Sequence, residues 1–179
     1  MKPFILLSSL LIFLFSCQQK TDSGKIKQFA KTIHDYTNFQ IKASQQAFVN
    51  KLTEDLQSLQ QNSNAVIDTK QLRDLLAKAK EANRVSYEHI KNTIEVDNEI
   101  NLRQKVLDEN QLFDSLYNNQ FAKTINILES NDTNKKEELF KIVDGQLEER
   151  INKIQSASKE ADEEFTNKYD ISFPDDSTK

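Results

Sequence analysis

Residues 25–144 contain neither glycine nor proline, and this absence most constrains the fold. Each type occurs twice in the chain, and the four residues are Gly24, Gly145, Pro3 and Pro174. Hairpins and tight turns use glycine and proline, whereas the interiors of long helices exclude them. The distribution therefore predicts an all-α protein.

Apolar residues recur at intervals of three and four, the spacing that places side chains on one face of a helix. We predict four helices, the first over residues 25–60, the second after Asp68, the third from about Leu102 and the fourth ending near Lys168. The four apolar stripes are Ile26, Phe29, Ile33, Tyr36, Ala43, Ala47, Leu52, Leu56 and Leu59; Leu72, Leu76, Ala79, Ala82, Ile90 and Ile94; Leu102, Val106, Phe113, Leu116, Tyr117, Ile125 and Leu128; and Leu139, Val143, Leu147, Ile151, Ile154, Ala161 and Phe165.

Polar segments separate the stripes. The loops fall at residues 61–68, 96–98 and 130–134, and Asp68–Gln71 and Asn134–Glu137 have the spacing of capping boxes. The break at 96–98 carries turn residues without glycine or proline, so helices 2 and 3 could also form one long bent helix. Four helices of similar length with short loops predict an up-down-up-down four-helix bundle.

The bundle domain is predicted to span residues 25–173 and to be followed by a disordered tail at 174–179. Ile171 and Phe173 lie just beyond the fourth helix. We expect Phe173 to pack back onto the open end of the bundle. The alternative is a frayed terminus, which is the usual state of chain ends.

The N-terminal segment has the pattern of a secretory signal peptide. Lys2 is followed by an apolar run over residues 4–15, which is shorter than the roughly 20 apolar residues that span a bilayer. The small residue Ser16 then precedes Cys17, the only cysteine in the chain. The sequence "LFSC" at this point resembles the lipobox of bacterial lipoproteins, which predicts a signal peptide at 1–16 and lipidation at Cys17.

A lipid anchor explains the single cysteine. The thiolate is a good nucleophile for accepting a lipid, and two or more acyl chains hold a protein stably at a membrane. Residues 17–24 then form the lipidated cysteine and a polar tether to the bundle. With Cys17 modified, no thiol remains for a disulfide, a redox couple or a nucleophile. Gln18 after the cysteine is compatible with export to the outer membrane.

Three segments resemble those of an uncharacterised family of short, four-helix bacterial lipoproteins assigned to the cell surface. They are "YTNFQIKASQQAFVNKL", "LFDSLYNNQFAKTINIL" and the closing "SKEADEEFTNKYDISF", in which Phe165, Tyr169 and Phe173 match the family pattern. The resemblance is one of apolar and aromatic positions. It implies a four-helix lipoprotein and no known activity, and it supplies no catalytic residue.

Composition argues against several functions. The chain carries a net charge of −4 without a basic stripe, which disfavours nucleic-acid binding. His34 and His89 lack the Glu-x-x-His pattern of di-iron bundles, so we predict no metal and no cofactor. Asp97 could at most contribute to a weak calcium site, because the glycine and oxygen-rich loop of an EF-hand are missing.

No sequence motif predicts catalysis. The chain has no G-x-S-x-G turn and no phosphate-binding glycine loop, so we predict that it is not an enzyme. Two functions remain open. One is a surface-exposed interaction module held by its lipid at the outer membrane, and the other is a structural or accessory envelope protein facing the periplasm.

The predicted topology also indicates where a partner would bind. A bundle that leaves the membrane through helix 1 places the 61–68 and 130–134 loops at its far end. We expect a protein or glycan partner to contact this tip, where two apolar residues lie among polar ones. The alternative is a loop whose apolar residues merely cover the core. The candidate contact residues are Asn62, Ser63, Asn64, Val66, Ile67, Asn131, Asp132 and Asn134.

The lipid anchor gives a first testable prediction. Replacing Cys17 with serine (C17S) removes the nucleophile, so the protein should leave the membrane fraction or keep its signal peptide uncut. Membrane fractionation and mass spectrometry of the mature N-terminus measure both effects. An unmodified cysteine on the mature wild-type protein would contradict the prediction.

Overall fold

The structure is a computed structural model that describes residues 22–130, 139 and 145–173. It contains four helices and, among these described residues, no strand. Helix α1 comprises an α-helical Ser23–His34, a π-helical Asp35–Ile41 and an α-helical Lys42–Gln61. Helix α2 is Thr69–Lys91. Helix α3 comprises Leu102–Leu116, a π-helical Tyr117–Phe121 and Ala122–Ser130, and helix α4 is Gly145–Tyr169.

Polar side chains begin the first two helices. The Asp22 carboxylate accepts a hydrogen bond from the Gly24 amide at 3.0 Å, and Asp68 accepts one from the Gln71 amide at 3.0 Å. Each bond satisfies one of the amides that a helix N-terminus leaves without an intrahelical partner. The Asp68 half of the predicted capping box is therefore confirmed. Asn134 and Glu137 of the other predicted box lie outside the described residues.

Helices α2 and α3 are separate, as predicted. Residues 92–101 connect them, and Asn101 at the junction has φ 57°, a conformation that asparagine tolerates better than most residues. The Glu95 carboxylate accepts hydrogen bonds from the Val96 amide at 3.0 Å and from the Arg103 amide at 2.9 Å. These bonds fix the connection, so the alternative of one long bent helix is wrong.

The π-helical segment of α1 changes which residues face the core. Ala43 and Ala47 were expected in the apolar stripe, but both are exposed, whereas Ile41 and Phe48 are buried. A π-helical turn holds an extra residue and therefore shifts the face that follows it. An uninterrupted α-helical spacing cannot predict this shift. The prediction for the two alanines is wrong for that reason.

Ile94 is a second correction. It was expected to continue the stripe of helix 2, but α2 ends at Lys91 and the Ile94 side chain is 82% exposed in the connection to α3. Asn92 and Thr93 bond back to the last turn of α2 through the Glu88 and His89 carbonyl oxygens. Such side-chain bonds to the backbone compete with helix continuation.

The buried apolar residues form two clusters. The first, toward the ends of α1 and α3, includes Phe48, Leu72, Phe113, Tyr117 and Ile125. The second, toward the start of α1 and the end of α4, includes Ile33, Ile90, Leu102, Val106 and Phe165. Phe29 and Phe165 join α1 to α4 with ring centroids 5.2 Å apart. Burial of these side chains is the main favourable contribution to folding.

Consecutive helices pack against one another, and the prediction of an all-α four-helix bundle is confirmed. Arg73 near the start of α2 contacts Glu129 near the end of α3. The connection between α2 and α3 contacts the end of α4 through Asp97 and Lys168. Contacts between the start of one helix and the end of the next are expected when neighbouring helices run in opposite directions. The up-down-up-down order as a whole stays a prediction.

The fourth helix ends in a Schellman motif, and this turn directs the following residues back to the bundle. Asp170 has φ 51°, and the Ile171 amide donates to the Thr166 carbonyl at 2.9 Å. Ile171 and Phe173 then pack against the second cluster, and the Phe173 ring stacks on His34 with centroids 4.1 Å apart. The predicted packing of Phe173 is confirmed.

Asp97 joins the α2–α3 connection to the end of α4. One carboxylate oxygen accepts hydrogen bonds from Lys168 Nζ at 2.6 Å and from the Tyr169 hydroxyl at 2.9 Å. The other accepts the Glu99 and Ile100 amides at 3.0 and 3.3 Å. Asp97 therefore takes part in a structural ion pair with Lys168, and both of its carboxylate oxygens accept hydrogen bonds from the protein.

The pKa of Asp97 follows from these contacts. Burial alone would raise it, but the hydrogen bonds from Lys168, Tyr169 and the two amides outweigh burial and lower the pKa from 3.8 to about 2. A carboxyl with a lowered folded-state pKa stabilises the protein above its unfolded-state pKa. That stability is lost as the pH falls from about 4 through about 2.

The second prediction tests this interaction. Asp97→Asn should lower the free energy of unfolding at neutral pH by on the order of 1 kcal/mol, allowing for solvent screening. The difference from wild type should shrink as the pH falls below about 4, because wild-type Asp97 is then protonated. Urea unfolding across this pH range measures both effects.

Glu99→Gln is the matched control for Asp97→Asn. The Glu99 side chain is 90% exposed and lies 3.4 Å from the same Lys168. Exposed ion pairs contribute little, so this variant should unfold almost as wild type does. An equal loss of stability in both variants would contradict the assigned role of Asp97.

Candidate functional sites at the tip and the middle of the bundle

We define the tip as residues 62–68 together with Ile127, Leu128, Glu129 and Leu139, which lie beside them. Its loop is held by local hydrogen bonds. The Asn62 side chain accepts the Asn64 amide at 3.0 Å, and the Asn62 carbonyl accepts the Ala65 amide at 2.9 Å. Such asparagine turns satisfy backbone groups without a helix. Among the predicted contact residues, Asn62, Ser63 and Asn64 are all exposed.

The two apolar residues of this loop have different environments. Val66 is 98% exposed. Ile67 is half-buried and packs with Ala65 against the first apolar cluster. The sequence left open whether both residues bind a partner or both cover the core. The structure divides these roles, because Ile67 covers the core and Val66 projects into solvent.

A cavity of about 460 Å³ opens at the tip, and residues 63–67 line one side of it. Its lining also includes Leu59, Thr69, Ile127, Leu128, Glu129 and Leu139. The volume falls within the range of small-ligand pockets. The tip therefore combines a cavity of mixed polar and apolar lining with an exposed valine.

An ion pair supports one wall of the tip cavity. Arg73 Nε donates to Glu129 Oε1 at 2.6 Å, and Arg73 also bonds Asn126 Oδ1 at 2.9 Å. The hydrogen bond from Arg73 lowers the pKa of Glu129. Two parallel bonds between a guanidinium and a carboxylate fix their relative orientation. The pair thereby joins the start of α2 to the end of α3 beside the cavity.

Several predicted site residues cannot be placed. Cys17, its signal peptide and most of the tether lie outside the described residues, and so does the tail at 174–179. Asn131, Asp132 and Asn134 of the predicted tip also lie outside them. The structure brings together the remaining five tip residues, which form one loop between α1 and α2.

The middle of the bundle contains a polar layer that the sequence prediction missed. Asn83, Ser86 and Asn110 are buried between the two apolar clusters. Asn83 Nδ2 donates to the Asn110 carbonyl at 2.9 Å, and Asn110 Nδ2 lies 3.4 Å from Ser86 Oγ. Buried polar pairs of this kind favour one register of the two helices over others. One sequence feature could have indicated this layer. The three polar residues stand at positions where the apolar stripes of helices 2 and 3 are interrupted for one helical turn.

A groove of about 330 Å³ opens beside this layer, and we call it the middle groove. It lies between the π-helical part of α1, α3 and α4. Its apolar lining consists of Ile33, Ile41 and Val106. Its polar lining consists of Thr37, Lys42, Gln45, Glu109, Asn110, Gln155, Ser158, Lys159 and Asp162. The π-helical segment that forms one wall was not detectable from apolar spacing.

Two carboxyl groups of the middle groove have raised pKa values. Burial raises the pKa of Glu109, although hydrogen bonds from Ser158 and Gln155 oppose the shift. Burial also raises the pKa of Asp162, although His34 opposes it. Carboxyl groups shifted by burial within a cleft are typical of functional sites. Asp162 lies half-buried at the groove.

The histidines do not form a metal site in the described part of the chain. His34 stacks on Phe173, and His89 stacks on Tyr36 with ring centroids 4.2 Å apart. Among the described residues, no three His, Cys, Asp or Glu side chains are grouped as metal ligands. None of the helices in the same residues is long and apolar enough to cross a membrane.

Comparisons with known proteins give no match: no family model, no curated protein and no solved structure resembles the chain significantly.

The third prediction separates the roles of the two apolar tip residues. Val66→Asp should leave the free energy of unfolding within about 0.5 kcal/mol of wild type, because its side chain is exposed. Ile67→Asp should lower it by about 1–3 kcal/mol, because the charge is placed against the apolar cluster. Urea unfolding measures both. Equal effects of the two substitutions would refute the assigned roles.

Proposed function

We propose that this chain is a bacterial lipoprotein held at the outer membrane through Cys17, and that its bundle presents the tip to a protein or glycan partner. The observation that carries the proposal is Val66, which is 98% exposed beside a cavity of about 460 Å³. Isolated exposed apolar residues are common on protein surfaces. One that lines a cavity of mixed polar and apolar character offers both kinds of surface that protein interfaces use.

The geometry of α1 supports the accessibility of the tip. The helix is continuous from Ser23 to Gln61, which corresponds to roughly 55 Å at about 1.5 Å per residue. The tether before it reaches at most about 25 Å when fully extended. A lipid at Cys17 would hold the start of α1 close to the membrane. The tip would then stand well clear of it and face a partner.

The lipobox pattern and the resemblance to surface lipoproteins support the membrane placement. The apolar run at residues 4–15 is too short to act as a membrane span, and the cysteine follows it at the position where lipidation occurs. The resemblance implies the same class of four-helix lipoprotein. The two alternatives differ in the side of the outer membrane on which the bundle lies. A surface module faces the exterior, and an accessory protein faces the periplasm.

The fourth prediction tests the tip and the membrane face separately. Proteinase K added to intact cells should degrade the wild-type protein if it is on the surface, and leave it intact if it faces the periplasm. Cross-linking of the purified lipoprotein to cell-surface protein and glycan fractions should yield a specific adduct. Val66→Asp should reduce that adduct by about tenfold, because it places a charge at the centre of the contact.

Ile94→Asp is the matched control. Ile94 is also an exposed apolar residue, at 82%, but it lies after α2 whereas Val66 lies before it. This substitution should leave the adduct unchanged. If Val66→Asp binds as well as wild type while its folding is intact, the tip is not the contact. If Ile94→Asp abolishes the adduct instead, the opposite end carries the function.

A further inference from the structure

The middle groove has the position and size of a binding site for a small molecule. It lies between the two apolar clusters, where three helices contribute its walls, and its volume of about 330 Å³ falls at the lower end of the range for small-ligand sites. One wall is the π-helical Asp35–Ile41. Single π-helical turns within α-helices occur frequently at functional sites.

Glu109 has no basic partner among the described residues, whereas His34 stabilises the charged form of Asp162. Glu109 on α3 accepts a hydrogen bond from Ser158 on α4, and Asp162 lies one turn beyond Ser158. Among the described residues, neither carboxylate forms an ion pair with a lysine or arginine. A half-buried carboxylate is stabilised by a nearby cation, and without one its charged form is disfavoured.

The positive groups of the groove are Lys42 on α1 and Lys159 on α4. Both side chains are exposed, so they lie toward the rim, whereas Ser158 is a buried residue whose hydroxyl bonds Glu109. Lys159 also lies 3.6 Å from the exposed Glu163. The groove therefore carries partly buried negative groups and exposed positive groups. A ligand that complements it needs one charge of each sign.

We propose that the middle groove binds a small zwitterion, such as a free amino acid or a dipeptide, with its ammonium group at Glu109 and Asp162 and its carboxylate at Lys42 and Lys159. An ammonium group has three N–H donors, which suit carboxylate acceptors from two helices. A divalent cation fits less well, because two lysines line the same groove and only two carboxylates are present. Ile33, Ile41 and Val106 supply the apolar surface for a side chain of the ligand.

The binding is tested by isothermal titration calorimetry on the full chain purified in detergent. The probes are the standard L-amino acids and the dipeptide Ala-Ala, with propylamine and propionate as analogues that carry one charge only. At least one zwitterion should bind with a Kd below about 1 mM, and both analogues should bind at least about tenfold more weakly. Absence of binding by every zwitterion, or equal binding by propylamine, would overturn the proposal.

Variants of the groove identify the residues involved. Glu109→Gln and Asp162→Asn keep the shape of each side chain and should weaken the Kd of the binding probe by about tenfold. Asp108→Asn is the matched control, because Asp108 is the exposed neighbour of Glu109 and bonds Gln104 at 2.7 Å outside the groove. Thermal unfolding checks that each variant is folded. Wild-type affinity in a folded Glu109→Gln or Asp162→Asn variant would refute the assignment of that carboxylate.

This proposal does not depend on the lipid anchor or on the tip. If no specific cross-linked adduct forms but a zwitterion binds, the proposal for the middle groove stands and that for the tip fails. If an adduct forms but no zwitterion binds, the proposal for the tip stands and that for the groove fails.

Discussion

The structure depends on burying the apolar face of each helix against its neighbours. Helices that are as rich in charged residues as these have little stability in isolation, because a helix in water gains only small contributions from propensity and side-chain pairs. Phe29, Phe48, Phe113 and Phe165 supply large buried side chains at the contacts between helices. The exposed faces can therefore carry many charges while the bundle remains folded.

The core is divided, and the division explains where chemistry can occur. Two apolar clusters lie toward opposite ends, and Asn83, Ser86 and Asn110 separate them. An uninterrupted apolar core would contribute more to stability, since buried polar groups must be hydrogen-bonded to avoid a desolvation cost. The polar layer allows Glu109 to lie half-buried beside a groove. The middle groove and the tip are therefore physically separate.

The two ends of the molecule differ in how they are held. At the end near the tether, Asp97 receives four hydrogen bonds and the Schellman turn brings Phe173 onto His34. At the tip, the Arg73–Glu129 pair joins α2 and α3, but the loop between α1 and α2 leaves Val66 without cover. One end of the bundle is thus closed by several tertiary contacts, whereas the loop at the other end leaves an apolar side chain exposed.

The sequence by itself determined the all-α class and the four helices, and it favoured, without deciding, the break between α2 and α3 and the packing of Phe173. The all-α class follows from local rules, because the scarcity of glycine and proline disfavours hairpins and the apolar spacing selects helices. The sequence also indicated the position of the tip loop, because a loop is expected where the apolar stripe of one helix ends and the next has not begun. It could not divide the roles of Val66 and Ile67, because both are apolar and adjacent, and only packing against α3 makes one of them part of the core.

Only the tertiary structure decided the register after residue 41, the partners of Asp97 and the middle groove. A π-helical turn leaves no clear signature in apolar spacing, so Ala43 and Ala47 appeared to belong to the core. Lys168 and Tyr169 are far from Asp97 along the chain, so no local pattern could predict that they would bind its carboxylate. Glu109 and Asp162 look like ordinary surface acids in sequence, and they become a potential site because two helices place them beside the same groove.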